Sequence, residues 1–364
     1  MKKIILTVTT DISYDQRMQR ICATLHAAGY EVWLVGRLKK TSSPLPDFPY
    51  HTRRLKCFWE KGKFFYIEYN IRLFFWLLGQ KFEAVCGIDL DTIAPAVLVG
   101  KLKGKKTLFD AHEYFTQVPE LIGRPRTQRL WEWIEKRFVP RVDAAYTVSE
   151  SLAKIFENQL HIPFGLVRNI GTPLAVEPAP TPDKSYLIYI GAVNAGRGLE
   201  QLIEAMQQID YELYVCGDGD ILEALKAQAV AQGVAHKVKF WGYVKPQDLH
   251  QLTTKARIGY LLLDNKSQSY YYSLANKFFD YIHAGIPQIT SNFPEYQLIN
   301  QRYKVAELVE LRVTDIVAST QKLLQDENYY QKMAENARLA QKELCWENEQ
   351  KTLLGIWEKV LGKS

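Results

Sequence analysis

Short apolar runs bounded by glycine, proline or polar clusters recur along the chain, and most precede segments whose apolar residues return every three or four positions. Ile4 to Val8 reads as a buried strand, Asp15 to Ala28 as a helix closed by Gly29, and Glu31 to Val35 as a second strand. That order implies a parallel sheet, whose ligands sit beyond the carboxyl ends of its strands. The loop Thr9 to Asp15 is therefore expected to border a cleft. It lacks G-x-G-x-x-G, which argues against a dinucleotide there. Arg17 and Arg20 just beyond it read either as holders of anionic groups or as a solvated helix face.

The alternation continues. Phe82 to Asp91 is a strand with a polar end, a helix runs to Gly100, and the strand Lys106 to Phe109 leads into Asp110-Ala-His112-Glu113. At a strand's carboxyl end, His112 and Glu113 either act on a substrate or merely fix the loop. A helix over Gln128 to Phe138, a strand over Ala144 to Val148 and a helix capped by Ser149 complete the first half. Asn169 to Ser185 holds Pro173, Pro178, Pro180 and Pro182 with little periodicity, and marks a domain boundary.

In the second half, Tyr186 to Ile190, the loop Gly191-Ala-Val-Asn-Ala-Gly196-Arg197-Gly198 and Leu199 to Met206 read as strand, glycine loop and helix. Such glycines let backbone N–H groups approach an anion. The loop is close to G-x-x-x-x-G-K-[ST], but Arg197 replaces the lysine and Gly198 the magnesium-holding hydroxyl, which disfavours a P-loop nucleotidase. Tyr211 to Cys216 is a strand ending at Gly217-Asp-Gly-Asp220, the helix Ile221 to Gln232 follows, and Ile258 to Leu263 is a further buried strand. Ser273 to Thr290 specifies a helix capped by Ser273, with Phe278, Phe279, Ile282 and Ile286 on its apolar side, Gly285 at its end and a strand after Pro287. Its first turn carries Asn276 and Lys277, with Asp280 on nearly the same face. Lys277 and Asp280 read either as an exposed pair worth about 0.3–0.5 kcal/mol or as a cation and a carboxylate set for a nucleotide diphosphate.

The segment Asn276-Lys277-Phe-Phe-Asp280-Tyr-Ile-His-Ala-Gly285-Ile-Pro287, with Pro294-Glu295 following, resembles the donor-site signature of retaining glycosyltransferases of family 4, group 1 type, which have the GT-B fold. The resemblance implies an α/β protein of two Rossmann-like, doubly wound domains facing across a cleft. Residues 1–170 with 346–364 would form the acceptor side and 171–345 the nucleotide-sugar side, the last helix, Trp346 to Leu361, crossing back to the first domain. It also implies transfer of a sugar from a UDP-, GDP- or other NDP-sugar to an acceptor hydroxyl of a glycan or lipid-linked saccharide. Configuration would be retained, and neither cofactor nor metal is needed.

In that family the lysine faces the diphosphate and the acidic residue binds the ribose, roles that fall on Lys277 and Asp280. The Gly191 to Gly198 loop resembles the family's Gly-Arg-x-x-x-x-Lys-Gly loop, with Arg197 at the lysine position and Ala192 where the arginine would stand. Lys277 and Arg197 would then stabilise the leaving diphosphate, within a donor site that includes Gly191, Gly196, Gly198, Gly217 and Asn276. Lys237-Val-Lys-Phe-Trp-Gly242 resembles the strand and turn that receive the nucleobase near Tyr243 and Val244. Asp110-Ala-His112-Glu113 resembles an Asp-x-His-Glu segment of the family, in which His112 contacts the donor sugar or polarises the acceptor hydroxyl and Glu113 positions it. The family's acidic residue eight positions before Asp280 is Tyr272 here, which leaves the donor-sugar contacts unassigned. With Ala192, that departure keeps a non-catalytic nucleotide-sugar-binding or scaffold subunit open, beside a sugar-nucleotide epimerase on the same fold.

Composition excludes some classes. The 364 residues favour two cores over one, and a formal charge of +6 suits an anionic ligand or membrane surface while being too small to argue for nucleic acid. Five scattered cysteines without Cys-x-x-Cys indicate neither a disulfide framework nor zinc, so a cytoplasmic location is expected. Asp89-Leu-Asp91 and Asp218-Gly-Asp220 both match D-x-D, a pattern too short to assign a metal ligand. The opening Met-Lys-Lys-Ile-Ile-Leu-Thr-Val is too short for a signal-peptide core, and no segment reaches the ~20 apolar residues of a membrane span. Residues 53–66 interleave Arg53, Arg54, Lys56, Lys61 and Lys63 with Phe58, Trp59, Phe64, Phe65 and Tyr66. They are a candidate peripheral contact with an anionic membrane, on the inner face of the cell membrane, or with an acceptor lipid. Phe74 to Leu78 read as the core face of a helix.

Overall fold

The first strand runs from Lys3 to Thr7 (β1); it pairs in parallel with a neighbour on each side, and Ile4, Ile5 and Leu6 are buried. The computed structural model describes residues 1–13, 15–173 and 186–362. After β1 come α1 (Gln16–Ala27), β2 (Glu31–Leu38), β3 (His51–Lys56), α2 (Gly62–Gly79), β4 (Ala84–Ile88) and α3 (Leu90–Leu102). Then follow β5 (Lys106–Ala111), α4 (Pro125–Phe138), β6 (Ala144–Thr147), α5 (Glu150–Leu160) and β7 (Phe164–Leu166). These strands form one seven-stranded parallel sheet in the order β3-β2-β1-β4-β5-β6-β7.

The second half repeats the plan with β8 (Tyr186–Ile190), α6 (Leu199–Ala205), β9 (Glu212–Cys216), α7 (Leu222–Ala231), β10 (Val238–Gly242), α8 (Pro246–Lys255) and β11 (Ile258–Leu261). It continues with α9 (Gln268–Tyr271), α10 (Asn276–His283), β12 (Gln288–Ser291), α11 (Pro294–Tyr303), β13 (Ala306–Val309), α12 (Val313–Gln325), α13 (Glu327–Gln341) and α14 (Trp346–Leu361). Its six-stranded sheet has the order β10-β9-β8-β11-β12-β13. Leu187 and Tyr189 of β8 enter the core on one face with Leu202 and Ile316, whereas Ile188 and Ile190 enter the other with Phe278 and Ile282. A strand covered on both faces is apolar throughout, which is why β8 reads as a continuous run.

The chain divides into two compact units, Met1–Asn169 with Glu349–Ser364, and Ile170–Asn348. Helix α14 thus starts in the second unit and belongs to the first from Glu349 onward. There the Glu349 carboxylate accepts from the Arg168 backbone N–H at 2.9 Å and from its guanidinium at 3.1 Å, and Trp357 is wholly buried beside Tyr30. Both units are Rossmann-like, parallel-sheet α/β structures, as the GT-B resemblance implied.

Several local expectations are corrected. Ser273 does not cap the signature helix: its hydroxyl donates back to the Tyr270 carbonyl at 2.8 Å, and α10 starts two residues later, after Ala275, whose N–H donates to the Tyr296 hydroxyl. Strands β3, β7 and β13 were not foreseen. Helix α2 buries Phe65, Tyr69, Leu73 and Leu77, so Phe65 belongs to the core, while Phe75, expected inside, is exposed. Pro178, Pro180 and Pro182 of the expected boundary lie outside the described residues.

Candidate functional site

The glycine loop after β8 is shaped by backbone that only glycine adopts readily. Gly198 caps α6 at φ +65°, and a Cβ there would stand 2.5 Å from that of Leu262. Gly217 presses so closely on the same loop that its Cβ would meet the Gly191 carbonyl oxygen at 1.8 Å. The turns after β8 and β9 are zipped together: Gly191 N–H donates to the Cys216 carbonyl, Val193 N–H to that of Asp218, and Asp220 N–H to the Asn194 side chain.

Helix α10 is fixed beside this loop by Tyr281, whose hydroxyl donates to the Tyr260 carbonyl at 2.9 Å and accepts from Ile190 N–H at 3.3 Å. The first turn of α10 therefore delivers Lys277 to Gly191. Its ammonium is 3.7 Å from the centroid of the Tyr189 ring and 3.3 Å from where a Gly191 Cβ would be. The guanidinium of Arg197 lies 4.8 Å from the Tyr270 ring centroid. Lys277 is buried, and burial first, then the Arg197 charge, pushes its pKa well below the ordinary value, with Asp280 opposing. Among the described residues neither Lys277 nor Arg197 makes an ion pair, and Arg197 Nε is buried without a hydrogen-bond partner. Asn276 and Asp280 stay exposed on the same helix. Two cations resting on two rings and repelling each other form a site short of negative charge, the condition under which a diphosphate gains most from charge-assisted contacts.

Sequence reasoning missed Tyr189 and Tyr270 as the aromatic supports of these cations. Tyr270 was visible only as part of the run Tyr270-Tyr-Tyr272, of which Tyr272 instead lies edge-on to Tyr271 at 5.0 Å. Gly242 has φ +63°, and on either side of it Trp241, Tyr243, Val244 and Lys245 line a hollow of about 480 Å³ with Asp248, Gln251, Leu252 and Lys255 of α8. That hollow includes none of the glycine-loop residues.

In the first unit the end of β5 carries a charge network. Arg17 of α1 is buried rather than solvated: its guanidinium donates to Asp110 at 2.9 Å and to the Val167 carbonyl at 3.1 Å. The reading of Arg17 as a solvated helix face is thereby replaced by a buried pair. His112 Nε2 is 3.1 Å from the other Asp110 oxygen, and its backbone N–H donates to Asp89 at 2.8 Å. Burial alone would raise Asp110, but Arg17 and then His112 hold its carboxyl below the usual range. Burial alone would lower His112, yet Asp110 and Asp89 outweigh it and raise its pKa. Asp91, accepting from the Thr9 hydroxyl, is pushed up to about 7 chiefly by burial. Asp89 sits at φ +53°, a strained conformation for a non-glycine residue at a strand's carboxyl end. Glu113 next to His112 is exposed. The Asp89, Asp91 and Asp218 carboxylates thus accept hydrogen bonds within the protein, and among the described residues no group of three or more His, Cys, Asp or Glu is placed to hold a metal ion.

Two family models match the chain: "Glycosyl transferase 4-like domain" over residues 14–171 and "Glycosyl transferases group 1" over residues 175–340. An uncharacterized glycosyltransferase of Methanocaldococcus jannaschii is 31% identical over 80 residues, a match spanning 21% of this chain and only 20% of that protein. Among solved structures, sucrose-phosphate synthase from Thermosynechococcus elongatus superimposes with a TM-score of 0.78 at 16% identity over 100% of both chains. Anabaena HepE in complex with UDP-glucose gives a TM-score of 0.78 at 10% identity over 99% of this chain and 100% of that one.

Proposed function

Because the chain belongs to the group 1 glycosyltransferases of GT-B fold, we propose that it transfers a sugar from a nucleoside-diphosphate donor to an acceptor hydroxyl with retention of configuration. The observation that carries this reading is the Lys277–Arg197 pair, two cations without ion pairs at the glycine loop. As the bond to the sugar breaks, negative charge builds on the diphosphate, and fixed positive groups in a low-dielectric setting stabilise it without reorganising. Lys277 and Arg197 do this, Asp280 holds the ribose hydroxyls, and the glycine backbone lets the phosphates come close. His112, whose proton is favoured by Asp110 and Asp89, and the exposed Glu113 are assigned to the donor sugar or the acceptor hydroxyl. The complex of Anabaena HepE with UDP-glucose supports a nucleotide-sugar donor. The acceptor is a sugar or lipid-linked saccharide, and the enzyme works in the cytoplasm, peripheral to the inner face of the membrane.

Calorimetry with UDP-, GDP- and ADP-sugars, followed by assay of donor turnover, tests the proposal. Micromolar binding with acceptor-dependent release of the diphosphate is the expected result. Binding without turnover would instead favour the nucleotide-sugar-binding subunit that Tyr272 and Ala192 keep open, and an altered free sugar nucleotide would favour an epimerase. Binding to none of the donors removes the reading altogether.

A further inference from the structure

Helix α2 turns Phe65, Tyr69, Leu73 and Leu77 to the core and leaves Phe64, Ile67, Ile71 and Phe75 outside, 53%, 55%, 52% and 67% exposed. Their three- and four-residue spacing makes them one stripe. A helix with a covered apolar face has no folding reason to carry a second one on the solvent side. Just before α2, Phe58 and Trp59 are 86% and 51% exposed, and their backbone N–H groups are pinned by the Glu68 carboxylate at 2.8 and 3.1 Å. These rings are therefore held outward by a defined turn. Helix α4 repeats the pattern with exposed Leu130 and Trp133. The two helices share one side of the sheet: α3 packs against both, and Tyr66 meets Trp131 edge-on at 5.5 Å.

Charge decides what would cover this face. Exposed Lys61, Lys63, Arg126, Arg129, Lys136 and Arg137 border the apolar residues, and among the described residues none of the six makes an ion pair. Glu68, the nearby carboxylate on α2, is already bound to Arg72 and to the Phe58 and Trp59 amides. Aromatic rings at headgroup depth with unneutralised cations beside them match an anionic bilayer surface, each cation adding ~1 kcal/mol near such a surface. We propose that the outer faces of α2 and α4, with the Phe58–Trp59 turn, form one docking surface for an anionic lipid bilayer. This deepens the peripheral placement proposed above, extends it to α4, and is independent of the donor chemistry.

The test is co-sedimentation of the full chain with vesicles of phosphatidylcholine alone and of equimolar phosphatidylcholine and phosphatidylglycerol. Binding to the anionic vesicles only, weakening with salt and accompanied by a blue shift of tryptophan emission, is expected. The double variants Trp59→Ser/Phe64→Ser and Arg126→Glu/Arg129→Glu should each lower vesicle affinity about tenfold or more. Their melting temperature and nucleoside-diphosphate affinity should match the parent, so a folding defect or a failed donor site is recognised separately. Equal partition to both vesicle types, no partition, or variants that bind as the parent does would overturn the proposal. So would a stable dimer by light scattering that the same substitutions dissociate, because a second copy would then be the occupant.

Discussion

At the scale of single residues, the proposed chemistry rests most on Lys277. Burial and the neighbouring guanidinium both weaken its hold on the proton, and an incoming diphosphate should strengthen it. Two outcomes follow. Lys277→Ala should weaken nucleoside-diphosphate binding about tenfold or more, as loss of one charge-assisted contact worth ~1.5–3 kcal/mol requires, and unchanged affinity by calorimetry would remove Lys277 from the site. Binding by the parent should take up a proton between the lowered pKa and 10.5, seen as a binding enthalpy that varies with the buffer's ionisation enthalpy, and affinity should fall as pH rises through that window. For folding the sign is the reverse: the unfolded chain holds the Lys277 proton more tightly, so its contribution to stability rises with pH over the same interval. His112 behaves oppositely. Its raised pKa gives a stabilisation fully present below 6.5 and lost as pH rises through the folded value. Denaturation of His112→Gln against the parent should therefore show the largest difference at acidic pH.

At the scale of elements, two short connections fix where the functional groups stand. The Tyr281 hydroxyl ties α10 to β8 and β11, and Arg17 ties α1 to the end of β5 and to the carbonyl that follows β7. Arg17→Met leaves Asp110 buried and short of its main partner, which should cost about 3–5 kcal/mol in urea unfolding. A cost below ~1 kcal/mol would mean that His112 alone satisfies Asp110. The elements the sequence revealed are those covered on both faces: β1 and β8 are continuous apolar runs because helices pack above and below. Strands β3, His-Thr-Arg-Arg-Leu-Lys, and β13, Ala-Glu-Leu-Val, sit at sheet edges with few buried residues, so neither left a periodic signal. Helix α2 erred in the other direction. Its apolar residues lie all round, and period alone could not tell the buried stripe through Phe65 from the exposed one through Phe64.

At the scale of the whole molecule, the chain is two sheet-centred units, and α14 contributes its greater part to the first. Trp357 is wholly buried there, so Trp357→Ala should destabilise that unit by about 3–5 kcal/mol. Because Lys277, Arg197 and the glycine loop all belong to the second unit, the variant should keep its nucleotide affinity at temperatures where the first unit has begun to melt. Calorimetric scans with and without a nucleoside diphosphate would read both effects, and a single transition raised as a whole by the ligand would contradict the separation.

The sequence by itself determined the two repeated strand–helix arrays, the glycine loop, the signature helix and the family they resemble, since each is written in contiguous residues as period, punctuation or motif. Only the tertiary structure decided that Lys277 rests on Tyr189 and Arg197 on Tyr270, that Arg17 is buried against Asp110, and that α2 and α4 leave aromatic faces uncovered. Those facts depend on which distant segments cover a side chain. Local pattern records that a face is apolar or charged, and packing alone chooses the neighbour that shields it from water or leaves it there.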